Sequence, residues 1–155
     1  MPIARVPSAA FGVDSIPILY RGVVVPPGIP IPAGSAVAII NGGGSIGCSV
    51  GGGSLGQGEE YVLCGALPGD HSNAFVGFML HTTNPCEEGM VIATRGSRVT
   101  PIVELGAALI PEGDVFLSTT PGEVTQTPPG GGARVLRVGF AASDVEIILV
   151  TDYYL

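Results

Sequence analysis

The residues best suited to chemistry in this chain are few: two histidines, three cysteines and thirteen carboxylates. Cys64, His71, His81 and Cys86 form the one constellation that could hold a metal. Zinc accepts a Cys₂His₂ set, but structural sites draw ligands in close pairs. Here six, nine and four residues separate neighbours, so only His81 and Cys86 resemble a knuckle. A Cys86–His81 nucleophile pair would also need an orienting third group and an oxyanion site, and no motif supplies either. Glu59-Glu60 and Glu87-Glu88 are adjacent doublets beside turns. Acid–base catalysis needs two carboxyls driven to different pKa values, so solvated turn charges are the simpler reading. No lysine is present, which removes a Schiff-base nucleophile and a P-loop lysine. The expectation is no catalytic residue, no cofactor and no metal.

A glycine-rich run at 41–58 contains GGGSIG (42–47) and GGGSLG (51–56), both matching G-x-G-x-x-G. That pattern binds a dinucleotide only where a helix comes next to hold the pyrophosphate. Here the first copy leads straight into the second glycine cluster. The run therefore reads as a long surface loop.

Any site in this chain would have to be built on strands. The chain has 155 residues, of which 46% are apolar but only 12% charged, so a packed core is possible while a charged surface is sparse. With 25 Gly and 14 Pro, long helices are excluded. Apolar β-branched runs occur at 16–25, 35–40, 60–67, 73–80, 90–96, 97–104, 114–120, 123–127, 133–141 and 145–151, separated by Pro/Gly turns. Pro101 marks an edge or bulge. The 105–113 segment admits one helical turn before Pro111, and Pro68-Gly69 has type II turn order. Pro121-Gly122 signals a hairpin. Val76-Gly77-Phe78 and Val138-Gly139-Phe140 echo each other, each preceding a loop and a further strand. The fold class is all-β, a small β-barrel or sandwich. An extended N-terminal arm is expected over 1–16, with a single β domain over 17–155 that carries the Gly-rich loop.

The net charge of −7 and the scattered arginines exclude a nucleic-acid groove, and Pro and Gly interrupt every apolar run short of a membrane span. The three cysteines read as small buried hydrophobes in a reducing compartment. A surface this poor in charge is expected to be covered by partners. Candidate interface residues are Ile3, Val6 and Phe11 in the arm, Arg95, Arg98, Arg134 and Arg137, and Tyr153 and Tyr154 at the C-terminus. Arg134 and Arg137 are expected on one strand, facing opposite ways.

Residues 73–151 resemble tailed-phage head decoration (capsid cement) proteins and related small phage structural β-domains. The similarity is carried by Val76-Gly77-Phe78, Gly89-Met90-Val91-Ile92-Ala93 and Gly96. It continues through Gly113-Asp114-Val115-Phe116-Leu117-Ser118, Pro121-Gly122-Glu123-Val124-Thr125 and Val138-Gly139-Phe140-Ala141, with Ala33-Gly34-Ser35-Ala36-Val37 extending it toward the N-terminus. A weaker similarity, of Asp14 and Tyr20-Arg21-Gly22 to a trimeric dUTPase segment, lacks that family's spacing and its phosphate-binding segments. The decoration-protein resemblance implies a β-barrel-like homotrimer on the capsid exterior, made in the host cytoplasm, that clamps major capsid protein subunits with the help of its arm. It brings no catalytic residues. The alternative is a ligand- or glycan-binding module of a tail fibre or spike, disfavoured by the absence of Trp and the nine aromatics in all.

Overall fold

A computed structural model of the chain describes residues 18–26, 29–41, 49–50, 53–54 and 59–150. The expected arm over 1–16, with Ile3, Val6 and Phe11, lies outside the described residues, as do Tyr153 and Tyr154. Twelve strands are described: β1 (Ile18–Val24), β2 (Ala36–Asn41), β3 (Ser49–Val50), β4 (Gly53–Ser54), β5 (Glu59–Leu63), β6 (Phe75–Met79), β7 (Glu88–Ile92), β8 (Arg98–Val99), β9 (Asp114–Leu117), β10 (Val124–Thr125), β11 (Arg137–Ala141) and β12 (Ile147–Leu149). The protein is all-β, with the sheet of its first half closed into a five-stranded barrel.

The strands form two units with the same plan. In the first, the order is β5-β2-β6-β7-β1, and β1 meets β5 in parallel to close the barrel. In the second, the order is β10-β9-β11-β12-β8. Numbered within its own unit, each sheet reads third, second, fourth, fifth, first. The second sheet also curls back on itself, because Val103, just beyond β8, forms a parallel bridge with Val124 of β10.

The match extends to register. Val37 opposes Gly77 and Ala36 opposes Phe78, as Val115 opposes Gly139 and Asp114 opposes Phe140. One step further, both ladders slip by a residue: Ala38 meets Phe75, and Phe116 meets Arg137. The bulged residues are Val76 and Val138. Phe78 then pairs with Ile92, and Phe140 with Ile148. Even the strand entry repeats. Gly34 N–H donates to Met79 O and Met79 N–H to Ser35 O; Glu112 N–H donates to Ala141 O and Ala141 N–H to Gly113 O.

This explains the sequence echo. A Cβ built on Gly77 would collide with the Ile92 carbonyl, and one on Gly139 with the Ile148 carbonyl. Each bulge drives its strand against the next at the same place, so only glycine fits at both.

Strand alternation then separates two faces. Ile18, Val37, Tyr61, Met79, Val91 and Ala93 fill the interior of the first barrel, where the Tyr61 hydroxyl donates to Gly89 O at 3.1 Å. Their counterparts Val99, Val115, Val124, Ala141, Ile147 and Leu149 fill the second unit. The outward residues of the first barrel (Ala36, Ala38, Phe75, Phe78 and Ile92) join this second core, so the first barrel packs its outer wall against its neighbour. Phe75 and Phe78 meet edge to face at 5.5 Å. The β9–β10 turn locks the seam: Ala36 N–H donates to Gly122 O, Gly122 N–H to Cys64 O, and Ala66 N–H to Ser118 O. Gly122, at φ +88°, completes the hairpin expected from Pro121-Gly122.

Four local expectations are corrected. The strand expected over 97–104 shortens to β8, since Pro101 has no N–H to continue the ladder. A 3₁₀ turn, Glu104–Gly106, comes after it. Pro68-Gly69 opens a 3₁₀ turn instead of a type II turn; Asp70 N–H closes on Leu67 O, and the positive φ falls on His71. The 41–58 loop contains a two-residue hairpin in which Ser49 pairs with Ser54 and Val50 with Gly53. Arg134 precedes β11 instead of sharing the strand with Arg137, because its guanidinium reaches Ser72 O at 2.9 Å and Asn73 Oδ1 at 3.1 Å.

Candidate interaction surfaces

Among the described residues, Cys64, His71, His81 and Cys86 do not converge as a ligand set. Cys64 lies near His71 but meets its backbone carbonyl, Sγ to O at 3.4 Å, not its ring. Burial pushes the Cys64 thiol up to about 12; nearby Asp70 adds to this and Arg134 opposes it. A thiol so protonated is a poor nucleophile and a poor ligand. His81 is exposed, its ring beside Thr82 O. Among the described residues no three metal-ligating side chains converge.

Cys86 corrects the reading of all three cysteines as reduced core residues. It is disulfide-bonded, half-buried and held at φ +66° in the β6–β7 loop, where its N–H donates to Val25 O. Cys86 belongs to neither core cluster, whereas Cys64 is fully buried and free. The reduced-thiol reading therefore holds for Cys64 and fails for Cys86.

Two surfaces of the second unit remain as candidates. The first is its outer sheet face. Asp114, Phe140, Ile148 and Arg98 lie side by side across β9, β11, β12 and β8, and Thr125, Phe116 and Arg137 form the adjoining row. Phe116, Phe140 and Ile148 are half-buried, although their counterparts in the first barrel, Ala38, Phe78 and Ile92, are sealed inside the protein. Ion pairs flank the patch: Arg137 Nη2 to Asp114 Oδ1 at 2.9 Å, and Arg98 Nη1 to Glu146 Oε1 at 3.6 Å. Arg98 and Arg137, two of the expected interface residues, thus come together on one face. Arg95 is exposed at the turn before β8, and Arg134 is engaged by the Ser72 backbone and the Asn73 side chain.

The second surface is the edge formed by 104–110 and Val145. Leu105 is 93% exposed and Ile110 72% exposed. Their display is fixed by backbone bonds. Gly106 N–H donates to Val103 O, Leu109 N–H to Asp144 O, and Gln126 clamps Ile110 through both its N–H and its carbonyl. A hollow of about 320 Å³, lined by Pro101, Val103, Ala107, Ala108 and Val145 among others, lies beside them. Sequence reading missed this edge. Its signal was an apolar run, LGAALIP, too short of periodicity for a helix and too broken by Gly106 and Pro111 for a strand.

No helix among the described residues is long and apolar enough to cross a membrane. Compared with known proteins, the chain matches no family model, no curated protein and no solved structure.

Proposed function

We propose that the chain is a non-enzymatic viral structural protein that binds the outer surface of a phage capsid and stabilises the shell by clamping major capsid subunits. The observation that carries this reading is the exposure of Leu105 and Ile110. Large apolar side chains exposed to water on a loop tied down at Gly106, Leu109 and Ile110 cost solubility, and apolar patches mark docking sites. A cement protein needs no reactive group. By binding only the assembled shell, it stabilises that state by its binding free energy. The closed barrel and the five-stranded sheet packed on it supply a body for such a clamp, and the 1–16 segment offers a second point of attachment by backbone pairing.

Cosedimentation with empty shells of the phage that encodes the chain tests this. The wild-type chain is expected to pellet with the shells, and Leu105→Asp and Ile110→Asp to weaken that binding at least tenfold while the far-UV spectrum stays unchanged. A chain that remains in the supernatant, or variants that bind as well as wild type, would refute the role given to this edge. Removal of residues 1–16 separates the contribution of the arm from that of the edge.

A further inference from the structure

We infer that two copies of the chain pair through the outer sheet face of the second unit, about a two-fold axis parallel to the strands and running between β11 and β12. This inference does not depend on the capsid reading.

Three observations lead to it. The same face of the first barrel is already an interface. Its residues Ala36, Ala38, Phe78 and Ile92 are completely covered by the second unit, so this scaffold uses that face for packing. The matching face of the second unit keeps two phenylalanines and an isoleucine at its centre, each still partly open to solvent among the described residues. Its charges, in turn, balance. Asp114 and Glu146 offset Arg98 and Arg137 in a molecule of net charge −7, so it is a place where two such molecules can approach without repulsion.

The third observation selects the occupant. Across the sheet the row reads Asp114, Phe140, Ile148, Arg98: acidic, apolar, apolar, basic. A two-fold axis between β11 and β12 reverses this row in the partner copy. Asp114 then lies over Arg98 of the second copy and Arg98 over its Asp114, while Phe140 and Ile148 stack on each other. Isologous interfaces require this self-complementarity, and aligned sheets pack face to face in the same way. The existing ion pairs extend into chains of four charges, Glu146–Arg98 of one copy continuing into Asp114–Arg137 of the other. Four strands, β9, β11, β12 and β8, face their counterparts across this axis; about 4.8 Å apart and two to five residues long, they give a footprint on the order of 200 Å². That is well below the standard burial per partner, so the pairing is weak and depends on concentration.

Sedimentation velocity of the full chain between about 10 and 300 μM reads the mass directly. Wild type is expected to move from monomer to dimer. Arg98→Glu and Asp114→Arg should each stay monomeric throughout, since each places like charges in register across the axis. Mixed in equal amounts, the two variants should dimerise again. The two substituted side chains then face each other with opposite charges, and the native Asp114 of one copy faces the native Arg98 of the other. Both positions are on the surface, and unchanged circular dichroism confirms that each variant folds. A wild type that stays monomeric, a trimer, variants that retain the wild-type mass, or a mixture that fails to associate would each overturn the pairing. Only a geometry with Arg98 over Asp114 of the second copy is restored by mixing.

Discussion

The two five-stranded units share strand order, register, bulge and entry turn, yet one hides its outer wall and the other shows it. The difference lies in alternate residues. Ala36, Ala38 and Phe75 of the first barrel become Asp114, Phe116 and Arg137 in the second, whereas the inward positions remain apolar in both. Core packing and outer-wall exposure are thus encoded in separate, interleaved sets of side chains. A five-stranded unit can be repeated and its outer wall left exposed by changing alternate residues of two strands.

Truncating the same aromatic in both units puts this contrast to its hardest test. Phe78→Ala removes a fully buried ring from the seam and its edge-to-face contact with Phe75. A loss of about 3–5 kcal/mol is expected. Phe140→Ala, at the matching position, removes a half-buried ring from the sheet surface and should cost about 1 kcal/mol or less in the monomer. Urea denaturation of each variant measures both. Equal losses would mean that the second unit's face is buried in the isolated chain, and the contrast between faces would fall.

The glycines test the shared part of the plan. Gly77→Ala and Gly139→Ala each thrust a Cβ into the carbonyl of the neighbouring strand. The expected penalty is about 2–3 kcal/mol at each, from overpacking of a site that cannot relax without opening the ladder. Similar melting shifts for the two variants support one bulge used twice. If one is tolerated and the other is not, the two bulges are not equivalent.

The same logic decides how much of the fold and of the surfaces was legible in the sequence. The glycine-centred echo survived there because a steric collision admits one residue type. The repeat around it did not, because an interior position asks only for apolar volume. Tyr61 and Val124, or Met79 and Ala141, occupy matching places without resembling each other. Turns with a strict backbone requirement, such as Pro121-Gly122, were readable; the His71 conformation, forced by a tertiary path, was not. Arg98 and Arg137 stood out as interface candidates by residue type. Phe116, Phe140 and Ile148 did not, since an outward apolar residue in a strand whose inner face is also apolar looks like core. Ile110 escaped for a related reason: its segment is held by bonds from Leu109 to Asp144 and from Ile110 to Gln126, which are remote in sequence.

A subtler effect probes the seam that joins the units. Cys64 lies there, its carbonyl bonded to Gly122 and its N–H to Ala36 O. Its thiol is raised from 9.0 to about 12 by burial, with a further contribution from Asp70 against the opposing Arg134. The raised value makes the folded state hold a proton that the unfolded chain releases first. Stability from this group is therefore complete below about pH 9 and declines as the pH climbs toward 12, by at most about 1.4 kcal/mol per pH unit. Cys64→Ala has no proton to lose. Its stability should be lower than that of the parent at pH 8, from lost packing, and should decline less steeply between pH 9 and 11 in chemical denaturation. The other alkaline titrations are common to both chains and cancel in the difference. Parallel curves would show that water reaches the Cys64 sulfur in the folded protein, and that the seam between the two units is not dry.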